Sequence, residues 1–402
     1  MSRILVTDGN QRSALAVVRA LGRAGHQVVV CSAGSSSLAG ASKFARAEEF
    51  VPDAGDRPDA YAHRIGDLCR EHRIDVLIPV TDAAIEAVLP SAAELAPTRI
   101  PFPPYEVYHG ISDKRGLMRR ARELGVPTPP ELELPDAATP VDEAALPRFP
   151  VVVKPARSVV NTGEEQIHTS VSHAVDRDAL DEVLRRAHPQ AYPLLVQEYI
   201  PGVGEGAFFL MWEGRTVAGF SHRRIREKPP AAGVSVYREA IPLATDLEKF
   251  SRLLLDDFGW TGVAMVEYRR SLLDGVPYLM EVNGRFWGSL QLAVDAGVDF
   301  PSLLVDCALG LDPEPVEGYR AGIRSRWWLG DLDHLIIRMK ESTPRYRLPP
   351  DAGSRPGALL RFLVPWMPGD RSEVFRLSDP GPGLREMREW IRSTSRALTR
   401  KG

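Results

Sequence analysis

Apolar positions in the first part of the chain follow a strand–helix–strand rhythm. Arg3-Ile-Leu-Val-Thr is a short apolar run, and Ala14, Val17, Val18 and Leu21 then recur at helical spacing. Gly25 stops that helix, and Val28-Val-Val-Cys is the next apolar run. The pattern predicts a βαβ unit with a parallel sheet. Ile74 to Val80 reads as a further buried strand, with Asp82 as the N-cap of the helix after it. From residue 112 the helical period returns, with Leu117, Ala121 and Leu124 on one face. Ser112 or Asp113 caps its start, and Gly125 and Pro127 end it. Phe149-Pro-Val-Val-Val-Lys-Pro and Leu194-Leu-Val-Gln-Glu-Tyr-Ile read as strands.

The clearest strand pair comes later. Gly262-Val-Ala-Met-Val-Glu-Tyr-Arg and Tyr278-Leu-Met-Glu-Val-Asn-Gly-Arg flank the turn residues Asp274-Gly275. Leu290 to Pro301 reads as a helix, and Pro301 to Leu309 as another with the proline at its first turn. Near the end, Leu384, Met387, Trp390, Ile391 and Leu398 lie close to helical spacing, among Arg385, Arg388, Arg392, Arg396, Arg400 and Lys401. This amphipathic helix is expected to dock on its own chain, a membrane-surface or partner-docking helix being the alternative.

Composition narrows the class. A chain of 402 residues forms two or three domains, and a hydrophobic fraction of 44% can fill their cores. The net charge of −3 argues against a general nucleic-acid binder. Cys31, Cys69 and Cys307 form no Cys-x-x-Cys pair, so reduced thiols and a cytoplasmic setting are expected. No apolar run reaches transmembrane length. The first turn, Thr7-Asp-Gly-Asn-Gln-Arg-Ser, lacks Gly-x-Gly-x-x-Gly, so a dehydrogenase-type dinucleotide site is not expected.

The candidate chemistry sits on the late strand pair. Alternation projects Glu281 and Asn283 to one face. Pairing around Asp274-Gly275 brings Glu267 opposite Glu281. Two carboxylates and an amide oxygen form a hard oxygen set suited to Mg²⁺, with Mn²⁺ as a substitute. Arg285 adds positive charge beside it. Lys154 closes a buried strand, where an ammonium must be paired or reach a ligand. Lys114 lies in the first turn of a helix, a place suited to an anion. Arg224, Arg226 and Lys228 share a face if their segment is extended.

Glu267 with Glu281-x-Asn283-x-Arg285, together with Asp113-Lys114 and Lys154, resembles the ATP-grasp superfamily, and the resemblance spans roughly Arg3 to Leu311. It is similar in type to carboxylate–amine ligases and to proteins like the large subunit of carbamoyl-phosphate synthase. The resemblance implies a parallel α/β domain over residues 1–111 and a two-lobed domain with antiparallel sheet over 112–311, its lobes about 112–196 and 197–311. Residues 312–402 would be a family-specific extension. It further implies ATP held by Lys114, Lys154, the hinge Gln197, Glu198, Tyr199 and Ile200, and Glu205. Gln197 departs from the family's usual Glu, and the loop from Arg157 to Gly163 has fewer glycines than usual. Glu267, Glu281 and Asn283 would hold Mg²⁺, while Arg285, Lys228 and Arg224 would serve catalysis. The implied reaction joins a small carboxylate to an amine through an acyl phosphate, releasing ADP and phosphate. Alternatives are a carboxylase or carbamoyl-phosphate-type enzyme, or a non-catalytic ATP-responsive protein. No nucleic-acid partner is expected, and a homo-oligomer is allowed.

Overall fold

The computed structural model describes residues 1–34, 36–155, 159–161, 166–168, 171–230, 233–340, 354–363 and 368–399. The chain opens with β1 (Arg3–Val6), α1 (Arg12–Arg23), β2 (Gln27–Ser32), β3 (Ala45–Phe50), α2 (Pro58–Glu71), β4 (Val76–Ile78) and α3 (Asp82–Val88). These strands make a parallel sheet in the order β3-β2-β1-β4, as the βαβ pattern predicts. Strand β4 is shorter than its apolar run, because the Val80 amide turns to the Thr7 hydroxyl at 3.1 Å instead of a ladder partner. Thr81, not Asp82, caps α3, its hydroxyl accepting from the Ala84 amide. Asp82 is thereby free to use its carboxylate elsewhere.

Helices α4 (Tyr105–Ser112) and α5 (Lys114–Glu123) follow. Asp113 caps α5, its carboxylate accepting from the Arg115 amide. A small sheet then forms from β5 (Glu131–Leu134), β6 (Val151–Pro155), β9 (Ser172–Ala174) and β10 (Leu194–Glu198), in the order β5-β10-β6-β9 and antiparallel. Between β6 and β9 a two-stranded ribbon pairs β7 (Val159–Asn161) with β8 (Gln166–His168). The expected phosphate loop over 157–163 lies outside the described residues except for β7. Helix α6 (Arg177–Arg186) covers this sheet's core.

The large sheet contains β11 (Gly202–Trp212), β12 (Arg215–Lys228), β13 (Val234–Ala240), β14 (Gly262–Ser271) and β15 (Pro277–Asn283), with α7 (Thr245–Asp257) between β13 and β14. After α8 (Leu290–Ala296) and α9 (Phe300–Ala308) the chain returns to it as β16 (Arg324–Arg326). It continues through α10 (Trp328–Met339), α11 (Arg355–Leu363), β17 (Asp370–Ser372) and α12 (Gly381–Thr399). The order is β15-β14-β11-β12-β13-β16-β17, antiparallel except for β16 and β17. The segment beyond 311 thus adds two strands at one side of the sheet, with β17 at its edge.

Alternation gives this sheet two buried faces. Val263 and Met265 pack with the β1 and α1 core, while Ala264, Val266 and Tyr268 pack with α4, α5 and α7. The α4–α5 pair and the N-terminal sheet therefore clamp the metal-type hairpin from opposite sides. No described helix is long and apolar enough to cross a membrane.

Candidate active site

The β14–β15 hairpin has the predicted register, with Glu267 opposite Glu281 and Met265 opposite Asn283. Gly275, at a φ of 75°, makes its turn. A bulge after Glu267 restores the pairing of Tyr268 with Leu279. The two carboxylates line a cavity of about 340 Å³ between the small and large sheets. Lys114, Lys154, Gln197, Glu198, Tyr199, Ile200 and Arg224 line it too. Eight residues far apart in sequence are thus gathered with Glu267 in one cleft.

Each charge there has a counterweight. Lys114 Nζ lies 3.5 Å from Glu281 Oε2, and Asn283 Nδ2 donates to Glu281 Oε1 at 3.0 Å. Burial alone would raise the Glu281 carboxyl. Lys114, the Asn283 amide, Lys154 and Arg285 outweigh it and bring it down to about 2. Glu267 is bonded to Arg224, yet burial and the facing Glu281 leave its carboxyl above the usual range. Burial lowers the Lys154 ammonium to about 8, against the pull of Glu281.

The remaining expected residues are placed as follows. Gln197 is buried, its Nε2 donating to Glu131 at 2.7 Å and its Oε1 without a hydrogen-bond partner among the described residues. Arg285 leaves the cavity wall and donates from Nε to Asp82 at 2.8 Å and from a terminal nitrogen to the Asn283 oxygen at 3.2 Å. Asp82 also accepts from the Tyr108 hydroxyl at 2.8 Å. A second cavity of about 420 Å³, walled by Lys114, Glu281, Asn283 and Asp82, opens on that side.

Besides Arg285, two expected residues stand outside both cavities. Glu205 binds Arg270 at 2.7 Å on the other face of β11. Lys228 binds Asp333 on α10 and lies over the Trp327 ring at 5.3 Å. The shared face expected for Arg224, Arg226 and Lys228 does not form, because β12 bulges between Arg224 and Arg226 and again before Glu227. Arg224 consequently turns to Glu267 and Glu227, while Arg226 makes a two-pronged bond to Asp331 at 2.6 Å.

The cavity also includes residues with no signal in the sequence reading. Arg269 donates to the Ile200 carbonyl at 2.9 Å and stacks over Tyr199 at 5.4 Å, which fixes the 197–200 hinge. His173 stands edge-on to Tyr199, and Met280 supplies a soft apolar wall. The period-2 pattern of β15 would place Met280 on the face opposite Glu281, and it is the bulge between the Glu267–Glu281 and Tyr268–Leu279 pairs that lets it line the cavity. Among the described residues no group of three His, Cys, Asp or Glu is arranged to hold a metal. The oxygen set available is the two carboxylates with the Asn283 amide, which is hard and anionic and so fits Mg²⁺ rather than a soft ion.

Residues 190–329 match a family model described as an ATP-grasp in the biosynthetic pathway with the Ter operon. No curated protein sequence matches the chain. Among solved structures, the L-amino acid ligase from Bacillus licheniformis superposes with a TM-score of 0.60 at 18% identity, over 78% of this chain and 75% of that one. The ADP complex of an N5-carboxyaminoimidazole ribonucleotide synthetase gives 0.65 at 14% identity, over 84% and 85%. A biotin carboxylase complex from Campylobacter jejuni gives 0.63 at 16%, over 80% and 74%. The chain thus shares the fold of these enzymes, and its stretch over the metal-type hairpin matches an ATP-grasp family model.

Proposed function

We propose that the chain is an ATP-dependent ligase that joins a carboxylate to an amine, with ADP and phosphate as products. The observation that carries the reading is the Glu267–Glu281 pair, opposed across the ladder beside Asn283, in one cleft with Lys114 and Lys154. Gln197, its buried Oε1 without a hydrogen-bond partner among the described residues, and the backbone of Glu198 to Ile200 hold the adenine. Lys154 and Lys114 take the phosphate oxygens, and Arg224 and Arg285 border the site of transfer. Glu267, Glu281 and Asn283 hold Mg²⁺, which when bound neutralises phosphoryl oxygens. Glu205 and Lys228, held by Arg270 and Asp333, take no part in the reaction.

The chemistry asks the protein for positioning and charge, not for a nucleophile of its own. The substrate carboxylate oxygen bonds to the γ-phosphorus as the β–γ bridge breaks and ADP leaves. The amine nitrogen then bonds to the acyl carbon, phosphate leaves, and the ammonium proton passes to solvent. Lys114, Lys154 and Arg224 stabilise the negative charge of the transferring group, each in a partly buried place where such stabilisation is worth more than in water.

Hydroxylamine in place of the amine tests this. With ATP, Mg²⁺ and a panel of carboxylic and amino acids, the purified chain should give a hydroxamate and equimolar ADP. Glu281→Gln should fold as the wild type and lose this activity by at least about 100-fold, a loss typical of a removed electrostatic stabiliser. AMP and pyrophosphate as products would sink the proposal.

A further inference from the structure

A third cavity, of about 770 Å³, lies outside the cleft described above, among the first turn of α1, the end of β16 and helix α12. Val234 lines both this cavity and the 340 Å³ cleft, so the two share a wall. Arg12, Trp327, Arg385, Glu386 and Arg392 supply most of its chemistry. Arg12 lies 3.9 Å from the Trp327 ring centroid, and Trp327 Nε1 donates to Glu386 at 2.6 Å. Arg385 is answered by Glu389 at 2.6 Å, whereas Arg392 forms no ion pair with a described residue.

Behind Arg12 stands Glu373, buried with only 2% of its surface exposed. Its Oε2 accepts from Arg12 at 2.8 Å and from Arg238, while its Oε1 has no hydrogen-bond partner among the described residues. Burial pushes the Glu386 carboxyl up to about 7, and the nearby Glu373 carboxylate adds to the rise. Glu386, which forms no ion pair with a described residue, therefore stands beside guanidinium groups that line the same cavity. Small molecules that carry both charges within a few ångströms answer such a wall at both ends.

We propose that this cavity binds a zwitterionic α-amino acid, its carboxylate toward Arg12 and Arg392 and its ammonium toward Glu386, with Glu373 behind. The amino acid is one of the two substrates of the ligase proposed above, and the assignment rests on that reading. Trp327 lies between the two charges of the ligand site and gives it an optical reporter. Helix α12 is then a wall of the substrate site, far in sequence from the hairpin that holds the phosphates.

The test is thermal unfolding and tryptophan fluorescence of the full chain with each proteinogenic L-amino acid, its N-acetyl form and its amide. At least one free amino acid should raise the melting temperature and change the fluorescence, and both blocked forms of it should fail. Arg12→Gln and Arg392→Gln should each weaken its binding at least tenfold and leave MgADP binding unchanged. Arg392 is exposed and forms no ion pair with a described residue, so its variant keeps the fold even if loss of Arg12 disturbs Glu373. The site is overturned if no free amino acid binds, if a blocked form binds as well, or if both variants bind as the wild type does. Amino-acid binding that depends on Arg12 without any ADP formation would leave the site standing and refute the ligase. ADP formation with an unaltered KM for the amino acid in both variants would do the reverse.

Discussion

Lys154 is a lysine whose charge depends on its surroundings. Desolvation lowers it to about 8, so it is mostly charged at pH 7 and mostly neutral at pH 9. Phosphate binds the charged form, so MgADP affinity should fall as pH rises through 8. Lys154→Met should flatten that profile and cost about 10- to 100-fold in affinity at pH 7, the worth of one charge-assisted hydrogen bond. A titration of MgADP at three pH values in both proteins checks this, and an unchanged slope in the variant would exonerate Lys154. The position was legible in the sequence because an ammonium at the end of Val151-Val-Val is out of place unless something anionic meets it. The partners of Lys154 were less so. Arg269, His173 and Met280 reach the cleft only because β9, β14 and β15 converge, and no local pattern records that meeting.

At the scale of elements, the hairpin and the strand before it were read unequally. Strands β14 and β15 keep strict alternation up to Glu267, and Asp274-Gly275 supplies a turn with its left-handed glycine, so their register followed from the sequence. Strand β12 carries two bulges, and a bulge moves every later side chain to the other face without changing the composition. The same limit applies to α12. Its apolar positions suggested which face docks, yet Leu384, Met387 and Ile391 are exposed. The helix is held instead by Glu386 on Trp327, Trp390 on Asp333 at 3.0 Å and Arg385 on Ser36. Removing residues 383–402 should therefore lower the melting temperature by several degrees, since these three tertiary contacts are lost. Co-sedimentation with anionic vesicles should be weak and should not change on the deletion. Strong vesicle binding that disappears with the helix would show that the exposed stripe meets a membrane.

Across the whole molecule, the segment after β17 ties the N-terminal sheet to the large one. Arg19, fully buried on α1, donates to Asp379 at 2.8 Å and to the carbonyls of Glu373 and Val374 at 3.0 and 2.8 Å. Asp379 also accepts from Ser42 at 2.8 Å and from the Lys43 amide at 3.0 Å. The fold class was readable from local periods, but this strap was not, because it joins residues 360 positions apart through charges that look like surface ones. Arg19→Met should cost about 3–5 kcal/mol by leaving the buried Asp379 carboxylate without its main partner. Chemical denaturation should show that loss in the midpoint, and a change of under 1 kcal/mol would mean that Ser42 and Lys43 suffice. The strap also has a meaning for synthesis. A ribosome adds about 5–20 residues per second, so Arg19 emerges roughly 20–70 s before Asp379 exists. Over that interval α1 carries an unanswered guanidinium on the face that will be its most buried, and the first domain to be made is among the last to be finished.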